Sequence, residues 1–472
     1  MAFRNVTDPD VGWHIKTGEW MVQHHAVPHA DIFSFTRAGT PWIAHEWLSE
    51  LLIYAVFRWT AWNGLIVLFA LVLTATFLLL YIRCSSSRYL AGLFTLAGAY
   101  ACVPTWDVRP QVLSFFLASV WLLILEHSES NARLLWWTLP LTVLWVNLHA
   151  AFLLGPALLA LVLVGELYER LFGSETRVSG AHLRTLALVL AFNLLLVPLN
   201  PNGWKMFSYP LATLRSQGMQ RYISEWNSPN FHNPDYWPLL LAILAVFMIA
   251  ASARSRMRPR DLLLLLVGTM AALSFVRMTP IFVLIAVPIA SRLIKDRPRL
   301  QRSAPSSAHP FTTVGNIAIL LAMTAFVTVH AAQVLKRQPL AEAAHYPVAA
   351  ARFLQSHPPG RLFNSYDWGG YLIFNLYPET RVCIDGRADV FGDGAMQEFF
   401  DAYFMTGHWQ RALSDWKIET VLVPPTAPLA SALRTQPAWQ LRFEDPTALV
   451  FSRHDSLSAA LRADWIRQAA RK

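Results

Sequence analysis

Ten apolar runs, cut apart by short polar loops, limit what this chain can become. A helix needs about 20 mainly apolar residues to cross a bilayer, with a range of roughly 17 to 25. Runs of that kind fall near 62–82, 89–104, 111–126, 134–148, 151–168, 183–199, 236–252, 261–276, 278–294 and 313–333. The apolar stretches 134–168 and 261–294 are too long for one crossing, and polar residues or Pro divide them at 147–149 and 277–280. Composition agrees: 54% of the 472 residues are hydrophobic and 15% are charged, against roughly 25% charged in an ordinary soluble domain. That excludes disorder and a simple soluble enzyme. Three cysteines, Cys84, Cys102 and Cys383, are too scattered for a disulfide framework.

The basic residues predict an orientation. Arg83 and Arg88, then Arg133, then Arg170, Arg177 and Arg184, then Arg254, Arg256, Arg258 and Arg260, and finally Arg292, Lys295, Arg297, Arg299 and Arg302 occupy every second loop. Cytoplasmic loops carry such an excess. The net charge of +9 is therefore mostly a topology signal, and no nucleic-acid motif competes with it. The expected fold class is mainly α: a polytopic helical domain of about 10 spans in the inner (cytoplasmic) membrane, with a C-terminal extracytoplasmic α/β domain. The expected regions are an outer first loop at 1–60, the transmembrane domain at 61–335 and the α/β domain at 340–472, with a Pro/Ser linker at 304–312. Residues 1–46 are polar and fall outside with no signal peptide before them. Either a short N-tail translocates with the first helix or an upstream helix precedes Met1, and the second is the expectation.

Residues 1–60 hold the densest polar chemistry: Asp8-Pro9-Asp10, Gly12-Trp13-His14 and His45-Glu46-Trp47, with His24, His25, His29 and Asp31 between them. The stretch 44–59 has helical apolar spacing on one face and His45, Glu46, Ser49, Glu50 and Arg58 on the other, which predicts an amphipathic interface helix. Two carboxylates two residues apart can hold a divalent cation through hard oxygens. One of them can instead serve as general base within about 3 Å of a hydroxyl, or both can simply cap turns beside Pro9. Pro28 between His25 and His29 breaks any shared helical face and no cysteine is near, so zinc is disfavoured. Further along, Arg109 sits in the turn 105–111, Arg277 in another, and Glu225 in the loop 200–235. Ionisable groups at membrane depth are costly and usually functional, although a loop-tip Arg can also snorkel to the interface. Asn147 and His149 read as helix–helix hydrogen-bonding groups.

Beyond 340, apolar runs at 361–364, 381–384, 420–423 and 449–452 predict strands, with helices at 346–356, 395–405, 408–416 and 456–470 between and after them. Alternation of that kind argues for an open α/β sheet. Asp385, with Gly386 and Arg387 after it, would stand at a strand's carboxyl end, where such sheets place ligands. The alternative is a turn stapled by an Asp–Arg pair. No Gly-rich phosphate loop, nucleophile elbow or HExxH motif occurs.

This layout resembles the GT-C superfamily of integral membrane glycosyltransferases, which includes protein O-mannosyltransferases, aminoarabinose transferases and oligosaccharyltransferases. Its members have many spans, a large first outer loop with an early acidic residue, interface helices in that loop and often a C-terminal extracytoplasmic domain. Asp8 and Asp10 match the acidic position, and 44–59 looks like the interface helix. The segments Asp8-Pro9-Asp10-Val11-Gly12-Trp13-His14-Ile15-Lys16-Thr17-Gly18, Asp31-Ile32-Phe33-Ser34-Phe35, Trp145-Val146-Asn147-Leu148-His149 and Ile384-Asp385-Gly386-Arg387 look like a bacterial multi-pass branch, a likeness that covers nearly the whole chain. The family's first helix has no counterpart after Met1, and its second acidic motif has only Glu225 as a counterpart.

The resemblance implies transfer of a sugar from a polyprenyl-phosphate donor in the membrane to an acceptor on the outer face. Asp8 or Asp10 would act as base or hold a divalent cation. Arg109 and Arg277 would neutralise the leaving lipid phosphate, with His14, His45, Glu46 and Glu225 binding substrate. The rival class is a non-catalytic membrane protein, a transporter or envelope-assembly scaffold, including an inactive truncated paralogue. Transporters tend to carry internal repeats; none is convincing here, and the polar residues gather in outer loops.

Overall fold

In the computed structural model, residues 1–173, 178–253, 257–295 and 310–454 are described. The expected helix at 456–470, residues 304–309 of the linker, and Arg177, Arg254, Arg256, Arg297, Arg299 and Arg302 lie outside them. The chain divides into two compact units. A helical unit comprises Met1–Arg4, Asn63–Leu214 and Gln220–Lys336, and a mixed unit comprises Asn5–Trp62, Arg215–Met219 and Arg337–Lys472.

In the helical unit, a helix stands at each of the ten apolar runs. The first is the part of Trp47–Arg83 that follows a break at Ala61 (φ 51°, ψ −149°). Then come Arg88–Cys102, Gln111–His127, Thr138–Leu148, Leu154–Phe172, Gly180–Leu196, Trp237–Ala251, Pro259–Ser274, Thr279–Lys295 and Pro310–His345. Both expected interruptions exist. His149 is extended after Leu148 and starts a short 3-10 turn, and extended Phe275 leads into another, Val276–Met278. Five described helices are long and apolar enough to cross a membrane: Trp47–Arg83, Ala150–Phe172, Pro234–Ala251, Val276–Lys295 and Val314–His345. Gln111–His127 and Gly180–Leu196 are apolar but shorter.

Helix Thr279–Lys295 is the centre of this unit, with every side chain buried except Arg292 and Lys295. Arg88–Cys102, Gln111–His127, Trp237–Ala251 and Pro259–Ser274 pack against it. A methyl group on Gly98 would meet Val283 at 2.7 Å, so the lack of a side chain there sets how closely two of these helices approach. Elsewhere the apolar surface faces outward: Leu320, Leu321 and Phe326 are each more than 60% exposed. Helices clothed this way suit a hydrocarbon solvent, because all their backbone polar groups are satisfied within the helix.

Acidic residues meet the basic loop ends. Arg83 grips Glu126 with two bonds of 3.0 Å, and Arg292 bridges Glu126 at 3.4 Å and Asp261 at 3.2 Å. Arg260 reaches Glu166 at 2.8 Å. These loop-end arginines are thus cross-helix ties.

The mixed unit has a four-stranded sheet of β1 (Leu362–Asn364), β2 (Thr420–Val423), β3 (Trp439–Glu444) and β4 (Leu449–Arg453), in the order β1-β2-β4-β3. β1 and β2 are parallel, with Leu362 opposite Thr420, and the other pairs are antiparallel. Two strand expectations need correction. Residues 381–384 form no full strand: Val382 makes isolated parallel bridges to Ser34 and Leu362, and the pairing stops at Cys383, whose N–H donates to Asn364 Oδ1 at 2.9 Å and whose carbonyl accepts from the Thr36 hydroxyl at 2.5 Å. β3 went unseen because its residues alternate half-buried and exposed rather than forming an apolar run. The helix expected at 395–405 starts earlier, at Ala388, and kinks at Gly392 (φ 69°). The helix expected at 44–59 runs from Trp47 to the break at Ala61. Helix Val11–His24 lies on helix Gly369–Leu376, where a Cβ on Gly12 would collide with the Gly370 carbonyl.

Candidate functional site

Arg109, Arg277 and Glu225 come together in the helical unit, from three separate interruptions of its helices. The turn that carries Arg109 is pinned by the Arg4 guanidinium, which donates to the carbonyls of Val103 (2.6 Å) and Trp106 (3.0 Å). Arg109 Nη1 donates to Glu225 Oε1 at 2.9 Å, with the side chains 22% and 27% exposed. Arg277 donates to the amide oxygen of Gln111 at 3.2 Å, and its guanidinium lies over the Trp226 ring at 4.4 Å. Trp226 in turn meets Phe275 edge-on, and Val276 N–H donates to Asn227 O at 3.0 Å, which ties the Glu225 turn to the Arg277 turn. Burial alone would raise the Glu225 carboxyl, but Arg109 and Arg277, with His149 adding a smaller effect, hold it below its usual range.

His149 belongs to a hydrogen-bonded chain. Ala151 N–H donates to its Nδ1 at 3.2 Å, so Nδ1 is an acceptor and the Ser114 hydroxyl, 2.8 Å away, donates to it as well. The Trp145 indole donates to that hydroxyl at 2.8 Å. Asn147 donates to the carbonyls of Val143 and Leu199. Both residues tie helices together, as their sequence context suggests.

The remaining expected residues lie in the mixed unit. Asp8 Oδ1 accepts from Asp10 N–H at 2.8 Å, a turn-capping bond, and Asp8 is 3% exposed. It lines a small pocket with Trp62, Glu342, Tyr346 and Tyr371, where the two tyrosine rings stack at 4.6 Å. Asp10 opens helix Val11–His24 and stands against Gly386, where a Cβ would overlap its carboxylate.

His14, His45 and Glu46 form a second cluster, joined by Glu50 and Asp389. His45 Nε2 is 3.0 Å from Glu46 Oε1. His14 Nδ1 is 3.8 Å from Glu46 and 3.5 Å from Glu50, and its ring stacks on Trp13. Burial works against charge on His45, yet Glu46 and then Asp389 outweigh it and raise its pKa. Burial raises Asp389 too, with His45 and Arg387 opposing. Glu50, one turn after Glu46 and before the break at Ala61, is pushed well up by burial and then by Glu46.

Beside this cluster, Arg387 is fixed between Asp385 (2.8 and 2.7 Å) and Asp31 (2.7 Å) and faces the rings of Trp42, Phe33 and Trp13. The stapled turn is therefore the arrangement that Asp385 and Arg387 adopt. Among the described residues no three His, Cys, Asp or Glu converge as metal ligands, so no chemical step is assigned to a divalent cation.

No known family's sequence profile matches the chain, and no curated protein matches it by sequence. Solved structures do match it in three dimensions. The oligosaccharyltransferase AglB from Archaeoglobus fulgidus, in complex with an inhibitory peptide and a dolichol-phosphate, superposes with a TM-score of 0.54 at 10% identity, over 89% of this chain and 66% of that one. The Archaeoglobus fulgidus oligosaccharyltransferase tethered to an acceptor peptide gives 0.50 at 10% identity, over 95% and 70%. ArnT from Cupriavidus metallidurans bound to undecaprenyl phosphate gives 0.47 at 12% identity, over 95% and 94%. The fold is the one seen in these two Archaeoglobus fulgidus oligosaccharyltransferase structures.

Several groups at these two places have no marked signal in the sequence. Gln111 and Trp226 hold Arg277, and Glu342 and Tyr371 share the Asp8 pocket. Gln111 was within reach, since it follows Val108-Arg109-Pro110 at the start of a helix. Glu342 carried no signal, because it lies over 300 residues from Asp8.

Proposed function

We propose that the protein is a membrane glycosyltransferase that moves a sugar from a polyprenyl-phosphate donor to an acceptor hydroxyl on the outer face of the cytoplasmic membrane, with about ten crossings and the region after 340 outside. The observation that carries the proposal is the convergence of Arg109 and Arg277 at the interruptions of apolar helices. In such a transfer the acceptor O–H gives up its proton, a bond forms from that oxygen to the sugar's anomeric carbon, and the bond from that carbon to the phosphate oxygen breaks. The lipid phosphate departs with the electron pair, so negative charge grows on it. Guanidinium groups match phosphate oxygens bidentately, and fixed cations near hydrocarbon act at low dielectric. The lipid-phosphate class is supported by AglB, which shares the fold and was solved with a dolichol-phosphate.

Asp10 and Asp8 are the proposed proton acceptors, and His14, His45 and Glu46 the proposed shell behind them. A second reading, in which Asp8 only shapes the turn, is favoured by its bond to Asp10 N–H. The test is sugar transfer from lipid-linked donors in proteoliposomes. Arg109→Gln and Arg277→Gln should each slow transfer at least about tenfold, the worth of a charged hydrogen bond. Transfer unchanged in an Asp8→Asn/Asp10→Asn double variant removes both carboxylates from the chemistry. A wild-type protein inert toward every lipid-linked sugar tried would favour a non-catalytic role.

A further inference from the structure

The same site holds an anion of its own. We infer that Glu225 is a stand-in for the donor's phosphate: its carboxylate holds the place beside Arg109 and Arg277 that the lipid phosphate takes, and donor entry displaces it. The inference rests on the phosphate role proposed for the two arginines.

Glu225 is built to be displaced. It sits on the single 3-10 turn Ser224–Trp226, flanked by extended residues on both sides. Its neighbours are anchored: Trp226 lies between Phe275 and the Arg277 guanidinium, and Asn227 O accepts from Val276 N–H. The backbone is therefore held while the side chain can leave by rotation about its own bonds. Glu225 accepts from Arg109 Nη1 at its Oε1, 2.9 Å away, and both side chains are more than a fifth exposed. A contact of that kind is weak and open to competition. A phosphate presents more charge and more acceptor oxygens than a carboxylate, so it can engage both guanidinium groups at once.

The stand-in also answers a structural need. Neighbouring guanidinium groups repel each other, and the Glu225 carboxylate, bonded to Arg109 and felt by Arg277, offsets that repulsion when no donor is present. A neutral lipid has no charge to offer the two arginines, whereas a phosphorylated one does, so only the phosphorylated lipid competes with the Glu225 carboxylate.

The experiment measures binding of a polyprenyl phosphate in detergent micelles to wild type, Glu225→Gln, Glu225→Ala, Arg109→Gln and Arg277→Gln. Polyprenol and inorganic phosphate serve as separate arms, and thermal unfolding is followed in parallel so that only folded variants are compared. Removing the resident charge should tighten polyprenyl phosphate binding about twofold to fivefold, the worth of a half-exposed ion pair, without changing polyprenol binding. Tighter binding of inorganic phosphate in the Glu225 variants would show that the phosphate itself is recognised, while an effect on the lipid alone would show that the tail is needed to reach the two arginines. If both Glu225 variants bind as wild type or more weakly while the arginine variants lose affinity, the stand-in is overturned and the phosphate role stands. If the arginine variants also bind as wild type, the phosphate role falls and the inference falls with it.

Discussion

Two arginine sites in this protein have opposite characters. Arg387 is 1% exposed, with carboxylates on two sides and aromatic rings facing its guanidinium. Arg109 is 22% exposed and meets Glu225 on a single turn, while Arg277 beside it rests on a neutral amide and a ring. The first arrangement leaves little for a ligand to add. The second is only partly buried, and a single carboxylate, Glu225, holds down both guanidinium groups. Burial and saturation together, rather than the mere presence of an Arg–carboxylate pair, separate a staple from a receptive site.

The largest expected difference between them is in stability. Arg387→Met would strand the Asp31 and Asp385 carboxylates in an apolar box, at a cost of about 3–5 kcal/mol. Thermal unfolding in detergent should show this as a large drop in Tm, and a near-normal Tm would show that the staple is dispensable.

A smaller contrast lies in pH. His45, Asp389 and Glu50 all have raised pKa values in the mixed unit. Stability linked to a raised pKa is full below the unfolded value and is lost as pH rises through the folded one. For His45, whose ordinary value is 6.5, the loss falls above that value. Glu225 has the reverse sign: with its pKa depressed from an ordinary 4.5, its contribution is present above that value and is lost as pH falls through the folded pKa. Unfolding followed from pH 5 to 9 should therefore show stability falling toward alkaline pH, with a shallower slope in His45→Gln. An equal slope in that variant would remove His45 from the linkage.

The smallest expected effect is that of Arg109→Met on stability, below about 1 kcal/mol for so exposed a pair. A loss as large as that of Arg387→Met would erase the distinction between the two sites.

The sequence made the helical unit readable because period and length survive without tertiary context. Even the interruptions at His149 and near Arg277 were marked by polar residues in apolar text. The helix that starts at Trp47 was readable by its two faces. In the mixed unit, local text showed that Asp385 and Arg387 could pair, but not that Asp31, 356 residues from Arg387, would complete the staple. Strand β3 was hidden because one face of it stays open to solvent. Glu126, Glu166 and Asp261 were hidden differently. Reading arginines as orientation markers drew attention away from the acids that pair with them.

The close approach of Gly386 to Asp10 has a consequence for descent. A side chain at 386 would occupy the space of the Asp10 carboxylate, although 376 positions separate the two in the text. In any lineage that keeps this packing, an acid at the first position demands glycine at the second. The two should be inherited together or lost together, and a homologue with a bulkier residue at 386 should have given up the acid as well.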